Sequence, residues 1–185
     1  MKNAYLWRNN ELKVDMKLFN GKIRLSAKPK TIYRSGDAPG TQEPYLIRYN
    51  LLSTPWFGIK IHKILLSDSD CLHDHPWTFI SLILKGGYFE TTTKQYKKSQ
   101  IKFAGHKMPA GQRFQWVTWR GPGSILYRPA AMAHRLDLKK DNGGHGKPIP
   151  ALTFVINLKR TRDWGFWTPM GWLYWEKYTS VNKCE

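Results

Sequence analysis

The sequence predicts a single all-β domain, an antiparallel sandwich or jelly-roll barrel, and three observations carry that expectation. Short runs of alternating apolar and polar residues recur about every eight to twelve residues. Stretches rich in glycine, proline and asparagine separate them and supply the turns such strands need. No segment sustains the apolar period of an amphipathic helix. At 185 residues the chain has the length of one domain, and 41% hydrophobic with 14% aromatic residues marks it as globular.

Leu12, Val14, Met16 and Leu18 alternate with polar residues, Asn20-Gly21 interrupts, and Ile23 and Leu25 resume the alternation. Asn-Gly readily takes the positive φ angles of a type I′ turn, so this reads as a hairpin. Residues 26–44, with Lys28-Pro29-Lys30 and Gly36-Asp37-Ala38-Pro39-Gly40, read as a long connection or arm. Residues 45–52 and 57–66 read as strands parted by Ser53-Thr54-Pro55. Residues 77–84 and 88–93 flank Lys85-Gly86-Gly87, which predicts a second tight hairpin. Strands follow at 113–119, 124–127 and 134–138, then an exposed loop at 141–150 and a buried, β-branched strand at 152–158. Residues 1–55 thus form a hairpin and arm packing on the barrel, 56–160 the barrel core, and 161–185 a tryptophan-rich closing segment. There Trp164, Trp167, Trp172 and Trp175 are expected to close the barrel end as core; exposed, they would be a stacking platform.

Charge is the unusual feature. Thirty Lys and Arg oppose thirteen Asp and Glu, a net +17. Between 94 and 136 stand Lys94, Lys97, Lys98, Lys102, Lys107, Arg113, Arg120, Arg128 and Arg135, with no acid. Such a field draws nucleotides, nucleic acids or other anions before any specific contact forms. No apolar run reaches the length of a membrane span and residues 1–8 hold no signal-peptide core, so a cytoplasmic protein without a membrane partner is expected. Cys71 and Cys184 alone make no disulfide framework, and free thiols are expected.

The chemistry centres on Cys71-Leu72-His73-Asp74-His75-Pro76-Trp77, answered by His134. On a strand, residues i and i+2 share a face, so His73 and His75 project together. Three neutral imidazoles meeting at one point bind a divalent transition metal.

At these residues the chain resembles the cupins. Their second motif, G-x5-P-x-G-x2-H-x3-N, is matched at Gly123, Pro129 and His134, with Ala131 for the inner glycine and Leu138 for the asparagine. Their first motif, G-x5-H-x-H-x3-4-E-x6-G, is matched at His73, His75 and Gly86, with Phe79 where its glutamate belongs. His-Asp-His-Pro-Trp, the run from Ser81 to Glu90, Trp164-Gly-Phe and Gly171-Trp-x-x-Trp175 are similar to cupin-like proteins of tailed phages and bacteria. The resemblance implies a cupin-type jelly-roll barrel with a metal inside it, the two motifs meeting on neighbouring strands. Lacking the glutamate, the site implied is the three-histidine kind, as in the thiol dioxygenases such as cysteine dioxygenase. Iron(II) is the expected metal, with nickel, zinc or manganese as alternatives.

Other candidates cluster around this triad. Cys71, at i−2 from His73, could bring a thiolate to the same face or be a small buried hydrophobe. Glu90, alone among acids between Asp74 and Asp137, could face the cavity as a base, substrate contact or replacement ligand, or pair with a surface lysine. Arg128 and Arg135 flank the second motif and could grip an anionic substrate at the barrel mouth. His62, His106 and His145 have no companion at ligand spacing and read as structural or exposed. Two functions follow: a metal-dependent, oxygenase-type enzyme for a small anionic molecule, or a non-catalytic protein whose basic barrel binds nucleotide or nucleic acid. A homodimer is compatible with either.

Overall fold

Each run read above as a strand forms one in the computed structural model, which describes residues 4–8, 11–18, 21–26, 28–33, 43–69, 71–95, 102–103, 106–107, 113–178 and 184. The strands are β1 (Ala4–Arg8), β2 (Glu11–Leu18), β3 (Gly21–Ser26), β4 (Pro29–Tyr33), β5 (Pro44–Ser53), β6 (Phe57–Ile64), β7 (Leu72–His73), β8 (Phe79–Lys85) and β9 (Tyr88–Gln95). A short pair, β10 (Lys102–Phe103) and β11 (His106–Lys107), precedes β12 (Arg113–Arg120), β13 (Ile125–Arg128), β14 (His134–Leu138), β15 (Ala151–Leu158), β16 (Gly165–Thr168) and β17 (Gly171–Tyr174). Among the described residues no helix is long and apolar enough to cross a membrane.

All pairings between strands are antiparallel and build two main sheets. One runs β1-β2-β3-β5-β6-β15-β8-β13, with β4 added beside β5; the other runs β12-β9-β14-β7-β16-β17. From β6 onward the chain steps repeatedly from one sheet to the other, which is the path of a jelly roll. The hairpin expected at Lys85-Gly86-Gly87 is therefore a corner: β8 and β9 lie in different sheets and do not pair. Both glycines have positive φ, 74° and 143°. A Cβ on Gly87 would stand 2.6 Å from the Arg120 carbonyl, so close approach of backbone as well as the bend demands glycine here.

The arm expected at residues 26–44 contains a strand. β4 lies along β5 from Pro29 opposite Tyr49 to Tyr33 opposite Pro44, and its Ile32 packs against the core. Pro29 opens that strand, where a missing N–H costs least. The N-terminal hairpin forms as expected, β2 pairing β3 up to Leu18 opposite Gly21. Its turn residue Asn20 lies outside the described residues, as do Lys97 and Lys98 of the acid-free segment. The loop at 141–150 is exposed as expected and carries one short 3-10 turn, Asn142–Gly144.

Ile83, Tyr88, Leu126, Leu138 and Ala151 pack around the glycine corner and continue through Leu46 and Ile64 as the core. Beyond Leu46 and Ile64 the two sheets part around a cavity rather than closing on apolar side chains.

Candidate metal centre

The His-Asp-His sequence works by pleat alternation. β7 is inserted between β14 and β16, with His73 opposite His134 on one side and Phe166 on the other. Beyond the strand the extended path is held by hydrogen bonds from Asp74 N to the Gly165 carbonyl and from His75 N to the Ala130 carbonyl, both 3.0 Å. His73 and His75 both line the cavity. Asp74 is fully buried and accepts from Gly165 N (2.8 Å), Trp172 Nε1 (3.0 Å) and Arg162 Nη2 (3.0 Å). It thereby ties the β16–β17 hairpin behind the histidine strand. His134 enters on a neighbouring strand of the same sheet.

The three rings converge with centroids 5.0 to 5.1 Å apart. His75 Nε2 and His134 Nε2 face each other at 2.8 Å, and one ring nitrogen from each of the three lies within 4.8 Å of the others. His134 Nδ1 is 2.9 Å from Glu90 Oε1. Burial alone would raise the Glu90 carboxyl, but hydrogen bonds from His134 and Arg128 and their charges outweigh it and hold it down at about 2. Glu90 is thus the acceptor for His134 Nδ1, and His134 Nε2 is turned toward the cavity and His75. Burial also lowers His73, partly offset by Asp68, and lowers His75 well below its usual value, so both remain neutral donors. His73 Nδ1 is buried without a hydrogen-bond partner, 3.7 Å from Asp68 Oδ2. Nitrogens bound to one metal at about 2.0–2.1 Å stand roughly 3.0–3.4 Å apart, so small side-chain shifts bring this set to coordination. The residues present fit a divalent transition metal.

Phe79 occupies the place of the missing glutamate. Its ring meets His75 edge-on at 4.8 Å and lies 6.2 Å from His134, so an apolar wall stands where a carboxylate ligand would. The cavity in front of the triad has a volume of about 390 Å³. Trp77, Trp164, Phe166 and Tyr178 supply much of its apolar lining. Of the four C-terminal tryptophans Trp164 lines this cavity, with Trp175 stacked behind it at 5.6 Å, while Trp172 is 38% exposed. Its polar lining includes Arg48, His62, Asp68 and Tyr45.

Four expectations change. Cys71 is joined to Cys184 in a disulfide, so neither is a free thiol and Cys71 brings no thiolate to the metal or to catalysis. Fold closure brings together cysteines 113 residues apart, which their spacing does not announce. Glu90 does not face the cavity as base or ligand; it sits fully buried behind His134, gripped by Arg128 Nε (2.6 Å), Arg128 Nη2 and Arg120 Nε (3.0 Å). Arg128 is therefore 7% exposed and committed to Glu90 rather than to a guest at the mouth. Arg135 follows His134 and so points away from the cavity, with Nε 3.2 Å from Asp137 Oδ2. Conversely, His62, read as structural or exposed, lines the cavity and accepts from Arg48 Nε at 3.1 Å. Asp68 and Tyr45, joined by a hydrogen bond from the tyrosine hydroxyl, also escaped the sequence reading. They carry no motif; only strand pairing brings them here.

No family model and no curated protein matches the sequence. Among solved structures the chain is similar to iron(II) HppE (14% identity over 70% of this chain and 56% of that one, TM-score 0.41). It is similar to the DMSP lyase DddQ from Ruegeria pomeroyi (14%, 71% and 56%, TM-score 0.41). A third is an RmlC-like cupin from Shewanella frigidimarina (12%, 72% and 86%, TM-score 0.37). The chain thus spans little more than half the length of the first two. The reading of the site rests on its own geometry.

Proposed function

We propose that this protein is a metal-dependent, non-haem enzyme of the oxygenase type, acting on a small anionic molecule in the barrel cavity, with iron(II) as its metal. The observation that supports this is the convergence of His73, His75 and His134 on one cavity, with His134 held from behind by ionised Glu90. Carboxylate–histidine pairing of this kind orients a metal ligand and raises its basicity. Bound there, a metal would supply Lewis acidity and redox chemistry. Burial keeps His73 and His75 neutral and Phe79 adds no charge, so a bound metal would keep most of its positive charge to attract an anionic guest. Aromatic side chains line much of the cavity, and electrostatic contacts are stronger where such walls displace water.

Elemental analysis of the purified wild type and of His73→Ala, His75→Ala and His134→Ala tests the metal. About one metal per chain is expected in the wild type and most of it lost in each variant. Melts should stay cooperative, because the core cluster is built from other residues. A wild type that takes up no iron(II), nickel(II) or zinc(II), or variants that keep full occupancy, would remove the enzyme reading.

A net charge of +17, with Trp116, Trp119 and Tyr127 exposed on β12 and β13, supports a second reading in which the outer surface binds nucleic acid or nucleotide. Titration with single-stranded DNA should then show affinity falling steeply with salt, and absence of binding at about 50 mM salt would discard it.

A further inference from the structure

The cavity holds a second polar group, far from the triad in sequence and unused by it. Arg48 on β5 and His62 on β6 stand opposite each other in the antiparallel register, and both line the cavity. The Nε–H of Arg48 donates to His62 Nε2 at 3.1 Å, so the neutral imidazole carries its proton on Nδ1. Burial, with the charges of Arg48 and Lys60, pushes His62 down to about 3, so it cannot balance the guanidinium or compete with it as a cation. A guanidinium has five N–H donors in a planar fork. Among the described residues the bond to His62 is the single hydrogen bond that Arg48 makes.

Among the described residues no carboxylate meets this cation. Asp68, the acid that lines the cavity, accepts from the Tyr45 hydroxyl and from Leu136 N (2.7 Å). Glu90 is committed to His134, Arg128 and Arg120 behind the triad. Lys60, two residues before His62 on the same face of β6, adds a second positive charge, buried and lying 4.2 Å over the Trp77 ring. The cavity therefore has a cationic end at β5–β6 and a metal-binding end at β7–β14. A cation with unused donors among apolar walls is costly unless an anion joins it.

We infer that Arg48, steadied by His62, is the group that recognises the substrate: its free Nη donors take the carboxylate of a small molecule whose other end lies at His73, His75 and His134. The placement of that other end rests on the metal-enzyme reading above; the carboxylate subsite does not. A planar two-oxygen head matches two parallel N–H bonds from one guanidinium. A dianionic tetrahedral head would find one guanidinium and an ammonium already covered by Trp77. The volume, about 390 Å³, is at the small end of ligand cavities.

Propionate, its neutral isostere propionamide and inorganic phosphate are titrated into the full-length protein, with and without metal. Binding is followed by tryptophan fluorescence, since Trp77 and Trp164 line the cavity. Propionate is expected to bind saturably and propionamide about tenfold or more weakly, the usual worth of a charged hydrogen-bonded pair. Arg48→Met should lose that preference, Arg48→Lys keep part of it, and both should hold wild-type metal content. Ligand-free Arg48→Met should melt no lower than wild type, because it removes an uncompensated charge; an arginine of purely structural role would melt lower. Equal binding of propionate and propionamide, unchanged binding by Arg48→Met, or tighter binding of phosphate than propionate would overturn the assignment. A wild type that takes up no iron(II), nickel(II) or zinc(II) yet still prefers propionate would overturn the metal reading while leaving Arg48 in place.

Discussion

Replacing Glu90 with Gln separates what holds the barrel together from what orients the histidine triad. The carboxylate is fully buried and meets His134 Nδ1, Arg120 Nε and both Nε and Nη2 of Arg128. An amide of the same shape removes the charge and turns an NH2 toward arginine donors. Arg128, 7% exposed, is then a buried cation without its partner. Breaking a buried pair from one side costs about 3–5 kcal/mol. Linkage gives a similar figure: holding the carboxyl at about 2 instead of 4.5 corresponds to about 3 kcal/mol of stability. The depressed value makes that stability fully present above pH 4.5 and lost as pH falls toward 2. For a chain of this length the loss lowers Tm by roughly 6–20 °C. His134 is left with a neutral amide oxygen in place of the carboxylate that orients it and raises its basicity, so metal affinity should fall about 10- to 100-fold. Calorimetry and competitive metal titration measure the two separately. A double variant, Glu90→Leu with Arg128→Met, replaces the pair by apolar groups and should recover most of the stability but none of the metal affinity. Wild-type metal affinity in Glu90→Gln, or a double variant recovering both properties together, would refute this division of roles.

Two further outcomes follow from the same geometry. Cys184→Ser opens a loop spanning 113 residues and should cost about 2–4 kcal/mol, while denatured, unreduced wild type should show no thiol to a thiol reagent; a stoichiometric reaction would contradict the Cys71–Cys184 bond. Lys60 is pushed down to about 8 by burial and by Arg48, so the unfolded chain holds its proton more tightly than the folded one between pH 8 and 10.5. Its contribution therefore makes stability rise across that window as pH increases, and Lys60→Met should abolish the rise and melt higher than wild type at pH 7; denaturation midpoints against pH decide it.

Much of the architecture is legible in the chain because period-two alternation reports a strand wherever one face is covered. Leu12 to Leu18, His134–Leu138 and the run 152–158 all became strands on that evidence. His73 and His75 were legible for the same reason, since residues two apart share a face whatever lies across from them. The resemblance of Gly123, Pro129 and His134 to the second cupin motif pointed to the third imidazole. Alternation says nothing, however, about which strand pairs with which. So the Gly86-Gly87 corner resembles a hairpin, and only the assignment of β8 and β9 to different sheets distinguishes them. Polar residues are harder still, because the same side chain is stable in water or buried with a partner. In Ile59-Lys60-Ile61-His62 the pattern alone turns the isoleucines inward, yet Lys60 is buried and His62 faces the cavity. Glu90 behind His134, Arg48 against His62 and Cys71 bonded to Cys184 are likewise meetings of residues distant in sequence. The sequence by itself determined the strands, the single β-class domain and the three imidazoles. Which charges are compensated, which thiols are joined and which cation is left facing the cavity were decided only when tertiary pairing chose their neighbours, because burial acquires its sign from the partner that is buried with it.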